Sequence, residues 1–310
     1  MAYVPSYIKL YESGELQKRR DILYEKLFSC NLCPKQCQIN RHKHVGVCGV
    51  SNKIKVSEFV LYKGEEPPLV GDTGAGGVFF SNCVMKCVYC QNFNFSQKGF
   101  GKEFNVEELA EKFLWLQNEK KVKNIDLVTA TPYLPFIFDA LIIAIENGLN
   151  IPLLWNTSSY ETVETLKFLD GVIDIYLADI RYTTEYAANR YSKTPDYWKF
   201  AQDAVKEMYR QVGSNYIFEN NLLKRGLIIR ILVLPNNIDE AQGALKFVAK
   251  LDKNILVSLM DQYVPVYKTK EYPEINRILK YSEYNKVIDT MVELDLDGWI
   301  QEHKLLEGEL

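Results

Sequence analysis

No apolar run in this chain is long enough to cross a bilayer. The longest apolar-rich stretch, Leu134 to Ile145, is too short and is broken by Asp139. The opening residues, MAYVPSYIKLYESG, lack a basic segment followed by an apolar run, so no secretory signal is expected. Strong charge of one sign is also missing. The formal net charge is −3, which excludes an electrostatic footprint for nucleic acid over the whole protein. Short internal repeats and low-complexity tracts are absent too, so no repeat array or tail is expected.

What is present is a chain of 310 residues, 47% of them apolar, enough for a substantial core. That length allows one large domain with an appendage, or two domains. The seven cysteines are an odd number in a chain without a secretory signal. They read as metal ligands rather than disulfides, and the expected location is the cytoplasm.

The cysteines fall in two groups. Cys83, Cys87 and Cys90, in FFSNCVMKCVYCQN, give Cys-x3-Cys-x2-Cys directly after an apolar run, Val78-Phe79-Phe80. Three thiolates on an iron–sulfur cube leave one iron open to an outside ligand, whereas four-cysteine sites are closed. The alternatives are a zinc knuckle missing one ligand, or a chance cluster of buried cysteines. The second group, Cys30, Cys33, Cys37 and Cys48, gives Cys-x2-Cys-x3-Cys-x10-Cys. Four thiolates suit zinc or a second [4Fe–4S] cluster, and the residues do not choose between them. His42 and His44 read as solvated loop histidines, since four cysteines complete a shell. Lys35, Arg41 and Lys43 read as a small solvated basic face.

After the first eighty residues, strand-like and helix-like runs alternate. Strands are expected at 78–80, 125–129, 151–155, 173–178, 227–234 and 255–260. Helices are expected from Asn105, which caps with Glu108 reaching back, and over 136–147, ended by Gly148. Others are expected over 161–169, from Thr194-Pro195 to near Gly213, over 240–250, and over 282–294. Apolar strands alternating with helices argue for an α/β fold with a parallel sheet, and chemistry at the C-terminal ends of its strands.

The three-cysteine spacing resembles the signature of radical S-adenosylmethionine (radical SAM) enzymes. The resemblance implies a partial (β/α)6 TIM-like barrel over 71–310, behind a 1–70 helical and four-cysteine extension. It implies a [4Fe–4S] cluster on Cys83, Cys87 and Cys90, with SAM on the open iron. One electron then cleaves SAM to a 5′-deoxyadenosyl radical that abstracts hydrogen from a substrate. Tyr89 fills a position that lines the adenine in that family. Thr129-Ala130-Thr131 falls where many members carry the Gly-Gly-Glu run that meets the methionyl ammonium; a capped strand-to-helix turn is the alternative.

Other strand ends follow the same logic. Asn156, in Trp155-Asn156-Thr157-Ser158, either bonds a ligand or caps a helix. Asp179 and Arg181 resemble the Asp-x-Lys of glycyl-radical activating enzymes with arginine for lysine; the alternative is a surface ion pair. Arg230 interrupts an apolar strand, so it needs an anion: the SAM carboxylate by resemblance, or an acid such as Asp179. Asp261-Gln262-Tyr263 and Tyr267 are candidates for the pocket rim.

Several segments are similar to PflX-type radical SAM proteins, which are grouped with pyruvate formate-lyase activating enzymes. They are CNLCPKQCQINR with GVCG, EEPPLVGDTGAGGVFFSNC, CVYCQN, YSKTPDY with EMYRQVG, RGLIIRILVLPNN and EYPEINR. Asn82 stands where glycine often precedes the first cluster cysteine, and Ala178 and Ile231 stand where proline and histidine are expected. Ile231 is taken to remove a polar pocket residue. The resemblance implies an oxygen-sensitive oxidoreductase fed by reduced flavodoxin or ferredoxin, with a glycyl-radical enzyme as candidate partner. A small molecule, peptide or RNA is the alternative substrate, and a non-catalytic iron–sulfur or zinc sensor is the alternative of another class.

Overall fold

The computed structural model describes residues 3–302. Two helices, α1 (Tyr7–Glu12) and α2 (Glu15–Glu25), precede the four-cysteine segment. Then come β1 (Ile54–Tyr62), a short helix α3 (Pro67–Val70), β2 (Ala75–Phe80), α4 (Phe93–Ser96), β3 (Lys102–Phe104) and α5 (Val106–Asn118). Strand and helix alternate from there: β4 (Ile125–Val128), α6 (Leu134–Glu146), β5 (Leu153–Thr157), α7 (Val163–Leu169) and β6 (Ile175–Asp179). Two helices, α8 (Glu185–Ser192) and α9 (Tyr197–Val212), lead to the hairpin of β7 (Ile217–Glu219) and β8 (Leu222–Leu232). The chain closes with α10 (Ile238–Leu251), β9 (Leu256–Met260), α11 (Tyr281–Glu293) and β10 (Gly298–Ile300).

The main sheet runs β10-β9-β8-β6-β5-β4-β2-β1-β3. Strands β2, β4, β5, β6, β8 and β9 are the six expected from sequence, and all pair in parallel. The fold is the expected α/β partial barrel, with β10 as a further parallel strand. β1, which lies inside the 1–70 segment, is hydrogen-bonded antiparallel to β2. Among the described residues, no helix is long and apolar enough to cross a membrane.

Local chemistry explains most boundaries. Asn105 accepts from the Glu108 N–H (2.7 Å) while Glu108 accepts from the Asn105 N–H (2.8 Å), which is the anticipated reciprocal cap of α5. Gly148 follows α6 at φ +92°, a conformation open to glycine at no steric cost. β5 begins at Leu153 rather than Ile151, because Pro152 has no N–H to give a ladder. α7 begins two residues later than expected. Thr162 is extended and caps it by accepting from Thr165 N–H, which frees Glu161 from the helix. α9 begins at Tyr197, so Pro195 precedes the helix instead of occupying its first turn.

Side chains alternate across each strand, and the two faces differ in kind. Trp155, Tyr176, Ala178, Ile229 and Ile231 join the core that packs against α2, α5, α6 and α10. Ile231 therefore faces the helices and not a pocket; the polar position expected there would not have reached one. On the inner face, Leu154, Ile175, Leu177, Leu223 and Ile228 pack around Leu69 of α3. Asn124 Nδ2 donates to the Leu69 carbonyl (2.7 Å) and fixes this plug near the strands' N-terminal ends. The opposite, C-terminal ends are left to line a cavity.

Candidate functional site

Ten side chains singled out from sequence do converge. Cys83, Cys87, Tyr89, Cys90, Thr129, Thr131, Asn156, Asp179, Arg181 and Arg230 all line one cavity at the C-terminal strand ends. It encloses about 1270 Å³, counting the part open to solvent. Gln262 and Met260 contribute from the end of β9. Tyr263 instead packs its ring against Tyr89 (6.0 Å between centroids) and donates to the Ile275 carbonyl (2.6 Å). Tyr267 stacks on Phe93 at 5.0 Å.

The three cysteines sit in the loop after β2. Cys83 and Cys87 are buried and Cys90 is half-buried. Burial pushes the Cys83 thiol up to about 12 and raises that of Cys90. Cationic iron would be needed to hold them as thiolates. Hydroxyls contact two of the sulfurs: Ser192 Oγ donates to Cys87 Sγ (3.1 Å), and Ser96 Oγ lies 3.1 Å from Cys90 Sγ. Arg181 lies half-buried beside them; desolvation lowers its pKa, but Asp179 and the nearby thiols and phenols raise it overall. Its Nη2 binds Asp179 Oδ2 at 2.6 Å, while its buried Nε has no hydrogen-bond partner among the described residues.

Arg230 is fully engaged. Its Nε donates to Asp179 (2.7 Å), Nη1 to Glu65 (2.6 Å) and Nη2 to Asn156 Oδ1 (2.6 Å). The neighbouring-acid reading of this arginine is what the geometry shows. Asn156 Nδ2 approaches both Glu65 and Asp126 at 3.4 Å. Burial raises both of those carboxyls, and Arg230 pulls in the other direction. Sequence reasoning missed Glu65 and Asp126. Asp126 carried the signal that betrayed Arg230, a charge inside an apolar strand. Glu65 reaches Arg230 only because α3 plugs the barrel.

Thr129 follows β4 at φ 57°, a left-handed conformation that is a strained outlier for a β-branched residue. Its hydroxyl donates to the Phe80 carbonyl (2.9 Å). The segment resembling Gly-Gly-Glu thus keeps a glycine-like backbone without the glycine. A buried acid lies beside this segment. Glu161, 1% exposed, accepts from Thr131 Oγ (2.6 Å), Thr157 Oγ (2.8 Å) and Trp155 Nε1 (3.4 Å). Burial raises its pKa from 4.5 to about 7, against those donors.

The second cysteine group lies next door. Cys30, Cys33, Cys37 and Cys48 line one small cavity together with Arg41 and Pro132. His42 and His44 are exposed, and the His42 ring lies 4.7 Å from that of Phe28. Arg41, expected on a solvated face, is buried at 1% exposure. The loop folds inward and gives its guanidinium the Ser51 and Pro132 carbonyls. Among the described residues, no three Cys, His, Asp or Glu side chains meet closely enough to hold a single ion. Each cysteine group borders a space instead. A donor set of three thiols, an open side and a cation with an unused N–H fits a cluster with one free iron and an anionic ligand on it.

Residues 78–248 match the family model for the radical SAM superfamily, a span that includes the cluster loop and Arg230. The chain is 34% identical over 277 residues to an uncharacterized protein, MJ0674, of Methanocaldococcus jannaschii, covering 87% of this chain and 76% of that protein. A radical SAM methyltransferase from Sphaerobacter thermophilus is similar in structure with a TM-score of 0.44 and 12% identity, over 72% of this chain and 66% of that one. The cysteine loop, the strand-end cavity and the matched span agree, and the chain belongs to the radical SAM superfamily.

Proposed function

We propose that this protein binds SAM in the strand-end cavity and uses it to abstract hydrogen from a glycine of a partner protein. The carrying observation is the pairing of a three-thiol loop with Arg181, whose Nε has no hydrogen-bond partner among the described residues. When bound, the [4Fe–4S] cluster supplies the electron that splits SAM to the 5′-deoxyadenosyl radical.

The chain's own residues do the rest. Cys83, Cys87 and Cys90 would hold the cluster through three thiolates, which leaves room for SAM as a further ligand. Arg181 offers a donor to the methionyl carboxylate, and Tyr89 lines the adenine. Glu161 holds Thr131 and Thr157 in place at the wall. Arg230 organises the floor, fixing Asp179, Asn156 and Glu65. Buried walls keep water from the reacting atoms. Reduced flavodoxin or ferredoxin is the proposed electron donor. The glycine substrate rests on the similarity to PflX-type proteins and on Asp179 with Arg181.

The test is anaerobic. Reconstituted protein with SAM and dithionite is expected to form 5′-deoxyadenosine, and Cys87→Ala is expected to form none. Undiminished product from that variant would end the reading. A candidate glycyl-radical partner incubated with protein and SAM should show an electron paramagnetic resonance doublet. SAM cleavage without a doublet on any partner moves the substrate to a small molecule, peptide or RNA. A cluster spectrum that SAM leaves unchanged returns the protein to the class of sensors.

A further inference from the structure

Arg41 is a cation buried without an anion. It is 1% exposed, and among the described residues no carboxylate lies within ion-pair distance. Its Nε (3.0 Å) and Nη2 donate to the Ser51 carbonyl, and Nη1 donates to the Pro132 carbonyl (2.6 Å). Carbonyls satisfy its N–H groups but do not cancel its charge. A charge taken this far from water needs a counter-charge nearby. The groups beside it that can supply one are Cys30, Cys33, Cys37 and Cys48, which line the same cavity. Four neutral thiols would leave the guanidinium uncompensated. Four thiolates on the dicationic core of an oxidised iron–sulfur cube leave an anionic centre that matches it, and their spacing around a space is too wide for one ion.

The same residues reach the three-cysteine loop. Lys86 Nζ donates to the Cys48 carbonyl (3.4 Å), and Asn82 Nδ2 donates to the Gly49 carbonyl (3.2 Å). Gly49 has φ +94°, a conformation strained for any side chain, and a Cβ there would lie 2.7 Å from Asn82 Oδ1 and displace it. Cys33 and Cys48 pack against the apolar cluster that contains Cys83 and Cys87. Through Pro132, Arg41 also grips the residue after Thr131 in the cavity wall.

We propose that Cys30, Cys33, Cys37 and Cys48 hold an anionic tetrathiolate metal centre, with Arg41 as its buried counter-cation. The centre clamps the three-cysteine loop and the adjoining wall. This goes beyond the SAM reading and lies outside the span matched by the family model.

The experiment counts metal without SAM or turnover, so its outcome is separate from that of the reaction. Iron, sulfide and zinc are measured on anaerobically reconstituted wild type and on a Cys30→Ser/Cys33→Ser variant. The wild type is expected to carry one four-iron set, with its sulfide, more than the variant; a single zinc in its place would overturn the cluster assignment. Arg41→Met is expected to lose that metal to a chelator at least ~10-fold faster than wild type, with Arg41→Lys between them. Lys43→Ala, which removes an exposed charge from the same loop, should match wild type. Equal metal in wild type and the double variant would overturn the proposal. So would Arg41→Met that retains the metal as wild type does. Circular dichroism of each variant separates loss of metal from failure to fold.

Discussion

The two cysteine loops are neighbours built on opposite plans. The loop of Cys83, Cys87 and Cys90 gives three thiols and opens onto a cavity whose far wall is charged. The loop of Cys30, Cys33, Cys37 and Cys48 gives four and borders a small space backed by a buried arginine. In the first, Arg181 keeps an Nε beside the sulfurs that has no hydrogen-bond partner among the described residues. In the second, Arg41 has each donating nitrogen on a carbonyl. An incomplete thiol set with a spare donor suits a centre that accepts a ligand. A complete set with a locked cation suits one that does not.

The comparison can be broken most sharply by removing one thiol from each loop. Cys87→Ser is expected to abolish 5′-deoxyadenosine formation under dithionite, whereas Cys37→Ser should retain measurable product. Equal loss in both would erase the distinction between open and closed sites.

The two cavity arginines sharpen it next. Arg230→Met takes the cation from Glu65 and leaves Asp179 to Arg181, and should destabilise the fold by about 3–5 kcal/mol in chemical denaturation. Arg181→Met should cost less stability but weaken SAM binding at least ~10-fold by equilibrium dialysis. The reverse ranking would move the ligand seat from Arg181 to Arg230.

Glu161 lies between the two regions, bonded to Thr131 on the cavity side and near Cys33 on the other. Its folded pKa, raised from 4.5 to about 7, means the folded chain keeps a proton that the unfolded chain releases. That contribution is complete below about 4.5 and is lost as pH rises through about 7, a total loss of about 3 kcal/mol. Glu161→Gln should flatten the fall in stability between those pH values; an unchanged slope would assign it to another group.

The smallest effect concerns Thr129. Replacing it with glycine relieves a left-handed β-branched residue, and should change stability by about 1 kcal/mol or less once the lost Phe80 bond and added chain entropy are included. A loss of several kcal/mol would mean that the hydroxyl, not the backbone, decides that position.

Much of the site was legible because its signals are local. Cysteine spacing, an arginine inside an apolar strand, and polar residues at strand ends all survive in one dimension. The six parallel strands were legible for the same reason, as apolar runs between helical periodicities. Glu65 was not, because nothing in EEPP states that α3 will enter the barrel and bring that carboxylate to Arg230. Glu161 read as the first residue of a helix until Thr162 took the cap and left it facing Thr131. Ile231 looked like a lost pocket residue; strand alternation turns it to the helices. Arg41 looked like surface until the loop closed over it.

By itself, the sequence determined which thiols belong together and which strands run in parallel, because ligand spacing and hydrophobic period are properties of neighbouring residues. Tertiary structure alone decided which charges face one another: Arg230 with Glu65, Arg181 with an unused donor, Arg41 with four thiols. Those pairings join residues far apart in the chain, and their cost or benefit depends on burial, which no local pattern records.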